Sequence, residues 1–310
     1  MVGYRPDQFT LSTFEVLTQR IIRLFTFALI VFVAFYLAGN TGLAWTYVAA
    51  LTHPGCQTES KPIESLPAPQ EIQLHTADGL AIRAWYYPAE NGVALLALGG
   101  PGGSLGSNPP PVAFLVGEGY GVLQIDSRAC AQPPAPVTLG AKETLDAQAG
   151  LDFLLGRPEV KRVGTIGFSM GGVTAIRTAA LRPEIEAVIA EGGYFNLGDD
   201  FVEPDTPKPL PLSLLLHTIA GTFWLHTGEN PWQISPVDDL PKISPRPVLL
   251  IYGEYEAAAG RAQRQFAAAR KPKELWIVPG GDHGKNYWVA KQEYEQRVLQ
   301  FLGQALLSPK

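Results

Sequence analysis

RVGTIGFSMGG, running from Arg162 to Gly172, is the stretch that decides how this chain folds. Its first half is apolar and rich in β-formers, and the residues from Met170 to Leu181 that follow have helical composition. Between them lies Gly167-Phe168-Ser169-Met170-Gly171, a G-x-S-x-G string on a strand-to-helix junction. Such a junction needs small residues around the serine because the strained turn brings its backbone close to neighbouring elements. Gly172 adds further room. Ser169 then stands at a helix N-terminus, where free N–H groups favour developing negative charge. With 32 glycines in 310 residues the string alone recurs easily, so the strand before it and the helix after it carry the reading.

Outward from this junction the same alternation repeats. EIQLHT, AIRAWYYP, VALLALGG and GVLQID precede it, and AVIAEG, PVLLIYG and ELWIVPG follow as further short β-rich runs. Helices are predicted over Pro111–Glu118, Lys142–Leu155, Met170–Leu181, Gly260–Ala269 and Gln292–Leu307. Strands alternating with helices imply an α/β fold built on a mostly parallel, twisted sheet with helices on both faces. The nearly continuous apolar character of the later strands fits a sheet covered on both sides. In sheets of this kind ligands sit beyond the carboxyl ends of the strands. Residues 196–242 break the alternation with LPLSLLLHTIAGTFWLH and several prolines, and read as a small helical lid.

A serine hydroxyl becomes a useful nucleophile only when a base takes its proton. Three histidines follow Ser169. His217 and His226 lie in the lid segment, whereas His283, in Gly280-Gly281-Asp282-His283-Gly284, follows the strand ELWIVPG on a loop at its carboxyl end, where the base is required. One oxyanion-stabilising N–H belongs to the residue after the nucleophile, Met170, and the other to the loop after an early strand. Leu98-Gly99-Gly100-Pro101-Gly102-Gly103 supplies that loop. It is not a phosphate loop, because no Lys-Ser/Thr ends the run.

Taken in order, TADGLAIRAWYYP, LGGPGG, IDSR, GFSMGG, SPRPVLLIYGE and GGDHG make the chain from about Glu71 to Leu307 resemble the α/β-hydrolase superfamily, in particular its serine-peptidase and acyl-hydrolase branches. Similar proteins often carry His-Gly-Gly-Pro-Gly in the early loop, where this chain has Leu98 in place of the histidine. The match assigns the second oxyanion N–H to Gly100; Pro101 has none to give. It implies a triad acid three residues after the glycine that ends the strand, which is Glu256 in Gly253-Glu254-Tyr255-Glu256. Glu254 is the nearest rival, Asp238 and Asp239 are more distant, and Asp282 reads as a turn residue. Asp126 and Arg128 fall where similar proteins keep a structural pair. Cys130, close by, reads as buried packing.

The resemblance implies hydrolysis of an ester, thioester or amide of a small acyl or peptide substrate through an acyl-enzyme, with no cofactor and no metal. A peptidase acting on small or proline-containing peptides is the second reading. Glu191, Asp199, Asp200, Glu203 and Asp205 are available to hold a free N-terminus but read first as solvated loop charges, and the apolar stretch Pro209–Trp224 suits an acyl or aromatic group better. A non-catalytic, membrane-tethered binding protein of the same fold is a third.

From Leu24 to Leu51 the chain carries no charged residue, and about 20 apolar residues suffice to cross a bilayer. Residues 24–51 are therefore predicted to be a transmembrane helix or signal anchor, a cleaved signal peptide being the alternative. Arg20 and Arg23 precede the segment and no Lys or Arg follows until Lys61, which puts residues 1–23 in the cytoplasm and the domain outside. Residues 52–70 contain Pro54, Pro62, Pro67 and Pro69 and read as a linker, leaving 71–310 as a catalytic domain that should survive removal of residues 1–51. A net charge of −5 with no long basic run excludes the footprint of a nucleic-acid binder. Cys56 and Cys130 are the only cysteines, and whether they pair is left open by the sequence.

Overall fold

A computed structural model describes residues 13–56, 62, 65–102, 105, 112–258 and 260–308; most of the segment 1–23 and much of the linker lie outside them. The chain opens with helix α1 (Thr13–Thr52), followed by strands β1 (Gln70–His75), β2 (Ala81–Tyr87) and β3 (Val93–Leu98). Next come α2 (Ala113–Gly117), β4 (Gly121–Ile125), a 3-10 turn over Arg128–Cys130, α3 (Glu143–Leu155), β5 (Arg162–Phe168), α4 (Met170–Leu181) and β6 (Ile185–Glu191). The segment α5 (Leu197–Val202), α6 (Leu210–Thr227), α7 (Pro236–Ile243) then leads into β7 (Val248–Gly253), α8 (Glu254–Ala257), α9 (Arg261–Ala268), β8 (Lys273–Val278), α10 (Asn286–Val289) and α11 (Lys291–Leu302). The long C-terminal helix expected through Leu307 changes at Gly303 into a π-turn.

The eight strands form one sheet in the order β1-β2-β4-β3-β5-β6-β7-β8. β1 and β2 are antiparallel additions at one edge, and every pair from β4 onward is parallel. The apolar runs are explained by the pleat, which sends alternate side chains to opposite faces. Ala94, Leu96 and Leu98 of β3 join the core beside α3 and α4, while Val93, Leu95 and Ala97 pack with Leu115 of α2 and with Val298 and Phe301 of α11.

Three sequence expectations need correction. Within residues 196–242, read as a lid, α7 belongs to the core instead: Leu240 and Ile243 pack beside α4. Asp126 and Arg128 do not pair with each other. Asp126 bonds Arg83 at 2.8 Å, while the buried Arg128 bonds Asp146 at 2.7 Å and reaches Asp78 at 3.2 Å. Finally, α1 is not separate from the domain. Ala44 and Val48 are fully buried in a third core with Val137, Met170, Val173, Ile219 and Phe223, and the Thr52 carbonyl accepts from the Val137 N–H at 2.8 Å. Cys56, just beyond, is disulfide-bonded to Cys130, so Cys130 is a covalent tie rather than plain packing. The apolar body of α1 is different: its most apolar 18-residue window has no buried residue, and Phe25, Phe27, Phe32 and Phe35 are all exposed.

Candidate active site

Ser169 sits between β5 and α4 with φ 55° and ψ −120°, one of three non-glycine residues with positive φ among those described. The turn is held by the Ser169 N–H donating to the Glu191 carbonyl of β6 at 2.7 Å. Its glycines follow from close approach. A Cβ at Gly167 would lie 2.1 Å from the Gly171 carbonyl oxygen, and one at Gly171 would lie 2.0 Å from that of Leu98. The second contact also shows why the loop after β3 comes near the serine: its backbone rests against the first turn of α4. Gly100 lies on this loop and Met170 opens α4, with the Met170 side chain buried.

His283, on the loop after β8, directs Nε2 at the Ser169 hydroxyl at 3.1 Å and Nδ1 at the Glu256 carboxylate at 2.9 Å. Glu256 belongs to the short helix α8, whose first residue directly follows β7, and its carboxylate is almost wholly buried. Accepting the Nδ1 proton, it holds the His283 pKa above the ordinary histidine value, against the opposing effect of burial. The Phe168 ring packs 4.8 Å from the imidazole and limits its swing.

The rival carboxylates are engaged elsewhere. Glu254 accepts from the Gly280 N–H at 2.7 Å, Asp282 caps the His283 N–H, Asp238 bonds Ser235, and Asp239 pairs with Lys242 and Arg177. His217 bonds the Ser213 carbonyl within its own helix, and His226 stacks edge-on against Trp45 of α1. Of the acidic residues expected to be free for a peptide N-terminus, Asp200 pairs with Arg261, Glu203 with Lys208 and Asp205 with Arg264. Glu191 is buried behind the histidine, bonded to Asn286 at 2.9 Å and Tyr294 at 2.8 Å, and burial raises its pKa.

Two features escaped the sequence reading. Gly192, with φ 64°, leaves no room for a side chain, since a Cβ there would lie 3.0 Å from His283 Nδ1 and 3.1 Å from Glu256 Oε1. The Glu-Gly-Gly ending β6 was its only signal. The other is the pocket wall. A cavity of about 470 Å³ opens beside Ser169 between Leu197 and Phe201 of α5, Leu216 and Ile219 of α6, and Tyr47 and Leu51 of α1. A second hollow of about 420 Å³, sharing Ser169, Tyr194 and Asp200 with the first, is lined by polar groups that include Arg261 and Asp282.

No known family profile matches the chain. An uncharacterised protein of Mycobacterium tuberculosis is 27% identical over 231 residues, 70% of this chain and 73% of that protein. A bis(hydroxyethyl) terephthalate hydrolase of Streptomyces coelicolor is 30% identical over 185 residues, covering 52% of this chain and 58% of the relative. Among solved structures, the Pyrococcus furiosus esterase Pf2001 superposes with a TM-score of 0.62 at 25% identity, over 81% of this chain and 99% of the esterase. The fold is that of the α/β hydrolases.

Proposed function

We propose that this chain is a membrane-anchored serine hydrolase that cleaves an ester, thioester or amide through an acyl-enzyme. The observation that carries this reading is the continuous hydrogen-bond chain from Ser169 through His283 to the buried Glu256. In this scheme the Ser169 oxygen attacks the carbonyl carbon while His283 Nε2 takes the hydroxyl proton. Glu256 fixes the tautomer and stabilises the imidazolium. The N–H groups of Met170 and Gly100 receive the oxyanion, aided by the α4 N-terminus. His283 then protonates the leaving group, and a water attacking the acyl-enzyme returns the serine.

An esterase-like reaction is favoured over a peptidase by the apolar pocket and by carboxylates already committed to Arg261, Lys208 and Arg264. The likeness to an esterase of known structure points the same way. Anchoring is supported by the uncovered apolar surface of α1. Retention of the helix rather than cleavage fits the burial of Ala44 and Val48, because a cleaved leader would strip a core. An extracytoplasmic domain agrees with the Cys56–Cys130 disulfide, since such bonds persist in oxidising compartments, and with the arginines that precede the span.

Labelling with a fluorophosphonate tests the reading. The full-length protein in mild detergent should react within minutes, and Ser169→Ala should not react at all. Equal labelling of both proteins, or none of the wild type, would overturn it.

A further inference from the structure

We infer that the substrate is an amphiphile resident in the membrane, an acyl ester whose chain reaches Ser169 laterally between α1 and α6 at the bilayer surface. This rests on the hydrolase and anchor readings above and goes further by naming where the substrate comes from.

The geometry begins with a helix pair. α6 runs in the same direction as the outer half of α1: the Tyr36 hydroxyl donates to the Pro211 carbonyl at 2.8 Å near the start of α6, and Trp45 meets His226 with ring centroids 4.1 Å apart near its end. Tyr36 lies well inside the uncharged run Leu24–Leu51, so the N-terminus of α6 sits beside the stretch of α1 predicted to cross the bilayer. From Leu210 to Thr227 α6 contains no Asp, Glu, Lys or Arg.

Its outward face is apolar rather than polar. Leu210, Leu214, Trp224 and Leu225 are exposed and, with His217 and Gly221, recur at helical spacing along one side. On a water-facing helix this stripe is unfavourable; at a lipid interface it is stabilising. The N-terminus is also suited to low polarity. Pro209 and Pro211 bring no N–H, which reduces the orphan donors a helix start leaves without water. Lys208 and Glu203, which precede it, neutralise each other in an ion pair.

The pocket completes the argument. Its walls include Leu216 and Ile219 of α6 and Tyr47 and Leu51 of α1, the inner faces of the two helices whose outer faces are exposed and apolar. A chain passing between them meets mainly apolar side chains of both helices, while Asp200, which borders both hollows, and Arg261 of the second are left to the polar part of the ester. Water-soluble esters need no such route, so the two kinds of substrate should respond differently to changes on the outer face of α6.

The test uses the full-length protein in phosphatidylcholine vesicles with two substrates sharing one leaving group, 4-methylumbelliferyl acetate in water and 4-methylumbelliferyl palmitate in the bilayer. The variant is Leu210→Asp/Leu214→Asp, two surface positions outside the pocket, where substitutions ordinarily leave folding intact. The wild type should cleave both esters. The variant should keep acetate turnover within about twofold and lose at least about tenfold on palmitate, roughly the 1.4 kcal/mol equivalent of one decade. Wild-type acetate turnover without palmitate turnover would overturn the inference, as would a variant whose palmitate rate is unchanged or falls only in step with acetate. A wild type that cleaves neither ester would instead sink the hydrolase reading and this inference with it.

Discussion

Ser169 carries an ordinary alcohol, and in the proposed mechanism what changes its chemistry is the histidine held 3.1 Å from it. A base must be neutral to accept the serine proton, so in that mechanism activity should fall as pH drops through the His283 pKa. The Glu256 hydrogen bond raises that pKa, so the acid limb of kcat/KM should lie above the ordinary histidine value of 6.5. Glu256→Gln removes the charge. It should lower turnover by several orders of magnitude, as loss of the orienting carboxylate does in other triads, and move the limb of any residual activity to lower pH. The Glu254 carboxylate is engaged by the Gly280 N–H, so Glu254→Gln should change kcat/KM by less than about fivefold, the loss of one exposed hydrogen bond. Measured pH profiles of the two variants decide this, and the reverse order would remove Glu256 from the role. The extra methylene of glutamate is accommodated because α8 begins directly at the end of β7 and Gly192 leaves its side open.

Among the elements, the junction of β5 and α4 was legible because everything that defines it is local: an apolar strand, a crowded turn and a helix start within eleven residues. His283 was legible for the same reason, lying one loop beyond β8. The partnership of α1 and α6 was not. Both helices are apolar nearly all round, so no face is marked for a partner, and the paired residues Tyr36 and Pro211 are 175 positions apart. Glu191 looked like a loop charge because a single carboxylate ending a strand carries no sign of the Asn286 and Tyr294 waiting across the fold. The packing of α1 against α6 and the domain speaks against one expectation from sequence, that residues 71–310 survive the loss of residues 1–51 unharmed. Deleting residues 1–51 strips Ala44 and Val48 from the core that contains Met170, and Tyr47 and Leu51 from the pocket. The truncated protein should therefore melt at lower temperature and hydrolyse esters at least about tenfold more slowly, given that each large core truncation costs about 2–5 kcal/mol. A deletion with unchanged Tm and unchanged ester turnover would show that α1 is only a tether.

At the scale of the whole molecule, the helix that enters the domain is also built into it. The disulfide Cys56–Cys130 and the hydrogen bond from Val137 to Thr52 fix the end of α1 to the loop region carrying Arg128, and Arg128 is itself buried against Asp146. The end of α1 that lines the apolar pocket is thereby tied to the domain that carries Ser169. The account depends most on Ser169 becoming covalently acylated during turnover. Brief incubation of the full-length protein with p-nitrophenyl butyrate, acid quenching, digestion and peptide mass mapping test this directly. The account predicts a butyryl group on the peptide containing Ser169, lost on longer incubation and absent from Ser169→Ala, whose turnover should fall by about a millionfold as when such a nucleophile is removed. Butyrate release by Ser169→Ala at a rate comparable to wild type, or an acyl group on another residue that disappears at the rate of turnover, would contradict it.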